Sequence, residues 1–415
     1  MKKSEIKTIN IAAILAIFIF SGAGSFMNAA VQTMMDAWPQ YSATTIRLVT
    51  SLPSLVSIPV TILIGGIAGR KLSYRFCAIF GTALIAAAGA APYFFHSIWI
   101  LVLVFRALVG VGVGFVAMRN SLILKSVPDD KQATVIGLGA ALMNLGSMFA
   151  GPIVGVLVAG GWQNSFLYDF LALIPLALML FFLKEPANEE ETAANAEKDL
   201  NAAAAAQTEA SDAPAKESKR SGFTPRTIYY IVIQFLMTCA LYPLLSGMST
   251  YMVYRGLGTA VTAGFSNSTY NLFGVLICAL ISPVEKKLGH RFLGVMSLIF
   301  AGAMSLIVIA PNLLILLIGS AICGVAFNSM MSIFQLYNGK EAPAAIAPLA
   351  STILIASLSL GNFSSVFYIN LCEKLLHTGC DIKSAYIGAA VCYLIFGVTA
   401  LIFQVAPDEY YTPKK

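Results

Sequence analysis

Charge is what this chain has least of. Only 11% of its 415 residues are Asp, Glu, Lys or Arg, 58% are hydrophobic, and the mean hydropathy is +0.79. Soluble domains carry about a quarter charged residues, so a soluble protein is excluded and an all-α integral membrane protein is indicated. Histidine is scarce as well: His96, His290 and His377 stand far apart, with no spacing that would hold a metal. The chain has no Gly-x-x-x-x-Gly-Lys-[Ser/Thr] run, hence no ATP-hydrolysing loop of its own, and no cofactor is expected. Clustered nucleophiles and His–carboxylate pairs are missing too, which argues against a membrane-embedded enzyme or sensor. The seven cysteines are scattered. Cys372 and Cys380 share one loop, where two free thiols are the simpler expectation and a disulfide the alternative.

What is present is a series of long apolar runs. Twelve membrane-spanning helices are predicted near 9–34, 46–67, 76–95, 98–121, 132–158, 165–183, 226–250, 262–282, 292–310, 312–337, 344–369 and 384–404. Asn328, Gln335 and Asn338 make the tenth the least apolar in pattern. With the N-terminus inside, Lys2, Lys3, Arg70, Lys71, Arg75, Lys286, Lys287 and Arg291 fall on the cytoplasmic side, whereas the outer loops hold only Arg47, Arg255, Lys374 and Lys383. That asymmetry satisfies the positive-inside rule and puts both termini in the cytoplasm, with the chain in the cytoplasmic membrane. The formal charge of +6 therefore reflects membrane orientation, and no nucleic-acid partner is expected.

The segment 185–225 contains Glu189-Glu190-Glu191, an alanine run and Lys219-Arg220, with almost no large apolar residues. It reads as a disordered cytoplasmic linker between an N-terminal six-helix bundle (1–184) and a C-terminal one (226–415). The halves echo each other. A constant offset of 216 aligns Arg70, Lys71, Leu72, Arg75 and Phe76 with Lys286, Lys287, Leu288, Arg291 and Phe292. Such a 6+6 repeat about an axis along the membrane normal is one way transporters are built, with substrate between the halves.

One charge interrupts the fourth span between Ile98 and Met118. Arg106 precedes Gly110, Gly112 and Gly114, whose alternation lets neighbouring helices come close. A guanidinium in hydrocarbon costs at least ~2.5 kcal/mol, so it faces either a watery pathway or helix carbonyls; the pathway is the expectation here. In span five, Gly151, Pro152 and Gly155 form a Gly-Pro-x-x-Gly run. Together with the Arg106 run, the repeated basic loop and the twelve spans, this resembles the major facilitator superfamily, closest to its bacterial drug and metabolite antiporter branch. The likeness covers all but the linker and tails. It implies two pseudo-symmetric bundles, a pathway lined by spans one, four, seven and ten with help from two, five, eight and eleven, and a monomer. It also implies that the basic loops act as conformational latches, here Arg70, Lys71 and Arg75 in one half and Glu285, Lys286, Lys287, Gly289 and Arg291 in the other. The fuller span-five motif has glycine where this chain has Ser147 and Val156, so antiport is not implied outright.

Helical phase supplies the pathway candidates. Ser21, Ser25, Asn28 and Gln32 stand at i, i+4, i+7 and i+11, a single stripe of span one. Gly324, Asn328, Met331 and Gln335 repeat it in span ten, and Asn267, Asn271, Gly274 and Cys278 in span eight. Ser357, Gly361, Ser364 and Tyr368 form a related stripe in span eleven, and Asn120, Asn144, Gln234 and Thr238 complete the set. Amides in lipid cost several kcal/mol, so these stripes turn inward. Carboxylates are missing from the pathway: Asp36 sits at the rim, where Arg47 is a ready partner, and Asp169 in span six reads as structural. The expected function is secondary transport of a small organic solute, anionic or neutral amphipathic, by alternating access, with a proton or another ion as a potential co-substrate. The alternative is a proton-coupled multidrug antiporter.

Overall fold

A computed structural model of the chain describes residues 8–69, 71–185, 224–341, 347–403 and 405–407. Most of the predicted linker, Arg70 and the C-terminal tail lie outside the described residues. The rest is helical, and each predicted span falls on a helix. We number these α1 (Thr8–Ile19 and, after a break, Ala23–Ala37), α2 (Ala43–Ile67), α3 (Tyr74–Phe94), α4 (Trp99–Ile123), α5 (Asp129–Leu157) and α6 (Trp162–Phe182). The second half gives α7 (Pro225–Ser246), α8 (Ala260–Leu288), α9 (Phe292–Ile309), α10 (Leu313–Glu341), α11 (Ala347–Leu376) and α12 (Asp381–Ile402). Among the described residues ten helices are long and apolar enough to cross a membrane, eleven if bent α1 counts as one span.

Local sequence explains the helix starts. Ser42, Ser73 and Thr224 sit just before α2, α3 and α7, and each hydroxyl accepts a hydrogen bond from the backbone N–H three residues on, at 3.2, 3.0 and 3.1 Å. Those bonds satisfy amides that have no partner within the helix. In α1 the run Ser21-Gly22-Ala23-Gly24 breaks the helix by 46°, and Ala23–Ala30 winds as a tighter 3-10 segment. Small residues let the backbone open there, and a break inside a membrane exposes carbonyls that need donors.

Apolar packing divides between two cores, one built from residues 13–183 and the other from residues 230–406. The backbone N–H of Lys184 donates to the Asn10 side chain at 3.2 Å, and the Tyr230 hydroxyl donates to the Val405 carbonyl at 2.7 Å. The starts of α1 and α7 and the ends of α6 and α12 therefore share one end of the molecule, called here the linker end. At the far end Trp38, Trp99 and Trp162, the three tryptophans of the chain, gather within 6.2 Å of one another between ring centroids. Indoles favour that depth, where an apolar ring meets a wet boundary. Cys372 and Cys380 are free thiols, as the simpler expectation had it.

Candidate functional site

Between the two cores lies a cavity of about 500 Å³, within the ~300–1,000 Å³ range of small-molecule sites. Its walls come from both halves. Asn28 and Ser25 of α1, Ser54 of α2 and Asn144 of α5 face Tyr242 of α7, Asn271 and Tyr270 of α8, Asn328 and Gln335 of α10 and Asn362 of α11. Among the described residues no lining residue is charged. The cavity runs toward the linker end, where lining residue Gln335 is exposed.

At the far end the halves are fastened together. The Arg47 guanidinium donates to both carboxylate oxygens of Asp381, at 2.6 and 3.1 Å. Arg47 is only 1% exposed and Asp381 26%. Beside this α2–α12 ion pair, on the α2–α11 seam, the Asn370 amide donates to the Thr44 hydroxyl and the Asn362 amide to the Ser54 hydroxyl, both at 2.7 Å. Across the molecule α5 crosses α8 with glycine on each side. A Cβ built on Gly151 would stand 2.6 Å from the Gly264 carbonyl oxygen, so only glycine allows this approach. The Ser268 hydroxyl donates to the Met148 carbonyl beside it. Closed at one end and reaching solvent at the other, the cavity can hold a solute that came from the linker side.

The comparisons with known proteins decide what kind of molecule this is. The family model described as the Major Facilitator Superfamily matches residues 11–366. The chain belongs to the Major Facilitator Superfamily. Its fold is that of solved transporters: a D-xylose–proton symporter superposes with a TM-score of 0.72 at 14% identity, covering 96% of this chain and 97% of that one. A transporter of peptide-carrier type, crystallised with 5-aminolevulinic acid, gives 0.71 at 13% identity over 97% and 96%. Among curated proteins, the hexuronate transporter of Bacillus subtilis (strain 168) is 35% identical over 133 residues. That match spans 30% of each chain.

The family's span-four arginine is placed differently from expectation. Arg106 is wholly buried and does not line the cavity. Its Nε donates to the Val49 carbonyl at 2.9 Å, Nη2 to the Ala23 and Gly24 carbonyls at 3.0 and 2.8 Å, and Nη1 to Asp169 at 3.2 Å. One guanidinium thus donates to carbonyls of bent α1 and of α2, and Asp169 balances its charge. Arg106 is a positioning residue tying α1, α2, α4 and α6, and Asp169 is the partner that sequence reasoning left unassigned. Arg106 therefore brings no charge to the cavity wall.

The other candidates sort by geometry. Asn28, Asn144, Asn271, Asn328 and Gln335 line the cavity; Gln32, Asn120 and Gln234 do not. The Gln32 amide donates to Asp36 at 2.9 Å at the helix rim, Asn120 is exposed near the linker end, and the buried Gln234 amide donates to the Leu354 carbonyl at 2.8 Å, joining α7 to α11. The α11 stripe is misphased: the Ser357 hydroxyl bonds to Leu354, Gly361 packs on Thr238, and Leu358, Ser359 and Asn362 face the cavity instead. Asp36 does not pair with Arg47, whose carboxylate lies 334 residues on.

Of the span-five motif, Gly151 and Gly155 meet α8 across the seam, Gly155 against Val261, with Pro152 between them inside α5. Of the loop residues, Arg70 lies outside the described residues. Glu185 accepts from the backbone N–H groups of Tyr74 and Arg75, both at 2.7 Å, and the Arg75 guanidinium donates to the Leu180 carbonyl at 2.9 Å. A carboxylate on a helix N-terminus complements the free amides there, so Glu185 supplies the acid that the loop itself lacks. Lys71, Lys286, Lys287 and Arg291 are exposed, and Gly289 ends α8 at φ +55°, which favours glycine. Glu285 sits beside them, half-buried.

Proposed function

We propose that this protein is a secondary transporter of a small organic solute, working in the cytoplasmic membrane by alternating access. Residues 1–184 and 226–415 are the two moving bodies, 185–225 the tether, and the linker end faces the cytoplasm. The observation that carries the reading is the polar cavity between two separately packed cores, which meet at the far end through a few polar bonds and close glycine crossings. Few bonds on one side are what a rocking exchange of access requires, since an equivalent closure must form on the other side at similar free energy. The cytoplasmic face carries the basic loops, as the positive-inside rule asks.

Among the described residues the lining contains no carboxylate. A proton relay or a lipophilic-cation site normally needs a titratable acid in contact with the solute, so the multidrug antiporter reading is the weaker one. An anionic solute draws support from the hexuronate-transporter match, but no cation reaches the lining to receive it. The monomer, with both termini cytoplasmic, is the working unit in this scheme. The test is flux in proteoliposomes of known orientation, with a proton gradient imposed and then collapsed. Saturable solute movement supports a carrier; channel-like flux that never saturates would overturn it.

A further inference from the structure

Four amides of the cavity are held in place by backbone carbonyls, and their fixed orientation bears on what they can bind. Asn144 donates its Nδ2 to the Ala140 carbonyl at 3.0 Å, Asn271 to the Asn267 carbonyl at 2.8 Å and Asn328 to the Gly324 carbonyl at 2.9 Å, each one turn back on its own helix. Asn267 donates to the Leu245 carbonyl of α7 at 3.1 Å. A backbone carbonyl only accepts, so the atom facing it must be the amide nitrogen, and the flip ambiguity of asparagine is resolved at all four positions. Each side chain is left with a carbonyl oxygen and one N–H for the cavity. The Asn28 side chain, in a residue 6% exposed and lining the cavity, makes no hydrogen bond with the described residues. Gly274 makes room for Asn328, because a methyl group there would overlap its amide nitrogen.

The wall therefore pairs acceptors with donors, without charge, and Tyr242, Tyr270 and Phe327 add flat apolar faces. A carboxylate, which only accepts, would meet carbonyl oxygens and no countercharge. An ammonium, which only donates, would leave its own charge uncompensated and the N–H groups unused. Desolvating either without a partner is costly. A hydroxyl both donates and accepts, and an alcohol-rich ring can match several such amides at once while resting its C–H face on an aromatic ring. We infer that the cavity selects a neutral polyhydroxylated solute, a sugar or polyol, and discriminates against its acid and amine counterparts. The inference rests on the carrier reading and names the substrate class of the same cavity.

The test uses full-length protein in detergent and matched sets that differ at one carbon: neutral hexoses and hexitols, the corresponding uronic acids, and the corresponding amino sugars. Binding is read as the shift in melting temperature and its concentration dependence. At least one neutral member should bind tenfold or more tightly than its acid and its amine. An acid or amine that equals or surpasses its neutral partner overturns the inference, as does a panel in which no neutral member binds. Asn28→Asp changes one unpaired amide to a carboxylate with no protein hydrogen bond lost, and should move the amino sugar ahead of the neutral sugar; an unchanged order also counts against it. A sugar that binds but is not moved in proteoliposomes would sink the carrier reading and leave this inference standing.

Discussion

Neutralising Asp381 should unfasten the far end of the molecule. In the closed arrangement Asp381→Asn leaves the Arg47 guanidinium, 1% exposed, without a countercharge. Breaking a buried pair from one side costs ~3–5 kcal/mol. Asp381 is itself 26% exposed, so water already screens part of the pair, and ~2 kcal/mol is the fair expectation for the closed state. Once the end opens, Arg47 is hydrated and the penalty disappears, so the equilibrium shifts by that amount, roughly 30-fold at 1.4 kcal/mol per decade. The assay places one cysteine at Ser25, in the cavity wall, in a background freed of the native cysteines. Its modification by a charged, membrane-impermeant thiol reagent is then timed from the face opposite the linker. If the open state is the minor one, the rate should rise about 30-fold in the variant. Arg47→Leu combined with Asp381→Leu should return it close to the starting value, because an apolar pair of similar bulk replaces a buried ion pair at little cost. An unchanged rate in Asp381→Asn would refute the reasoning, and so would a double variant as open as the single.

Arg106→Ala should lower the melting temperature of the purified protein sharply: it strands Asp169 in an apolar setting and takes a charged donor from three carbonyls, a loss of ~3–5 kcal/mol by the same rule. Arg106→Lys should recover only part of this, since one ammonium cannot span partners on α1, α2 and α6; full recovery in a thermal melt would contradict the arrangement. Gly151→Val should wedge α5 from α8 and raise far-face labelling of the same Ser25 cysteine, and equal labelling would show that the crossing yields. Gly274→Ala should crowd the Asn328 amide and weaken solute binding about tenfold, ~1.4 kcal/mol, with the fold intact by circular dichroism. Denatured without reductant, the chain should take up seven alkyl groups by intact mass, one per cysteine; five would mean a disulfide.

The fold was legible because membrane helices are written in apolar run length, and a run needs no knowledge of its neighbours. The same holds for Gly110, Gly112 and Gly114, whose alternation does meet α2 and α3 by turns: a Cβ at Gly110 or Gly114 would strike Pro53 or Val60, one at Gly112 the Gly81 carbonyl. Pairings were not legible, because they are set by tertiary approach. Arg47 finds Asp381 across 334 residues, and Arg106 finds carbonyls of α1 beside the bend at Ser21-Gly22-Ala23-Gly24 and one of α2. That break was the available signal. A lone arginine in one span and a small-residue break in another each raise an unsatisfied demand, and in lipid the two demands can answer each other.

For polar stripes, phase was enough where the helix is straight and the neighbours small, as in α8 and α10. It failed in α11, where Gly361 gives the close approach to α7 and rotates the cavity face by one residue to Asn362. A glycine in a polar stripe thus has two readings, a cavity wall or a contact, and only the partner helix chooses between them. For Gln234 the same ambiguity resolved toward contact, since the Leu354 carbonyl stands within reach of its amide. What separates Asn144, Asn271 and Asn328 from Gln234 is where the second half of the amide goes. In Asn144, Asn271 and Asn328 the nitrogen is held by its own helix and the oxygen is left for a guest, whereas Gln234 spends its nitrogen on another helix. An asparagine one turn beyond a small or polar residue on an inward stripe is therefore a better mark of a binding wall than a longer amide, because the shorter side chain can reach back to its own backbone and still present a face.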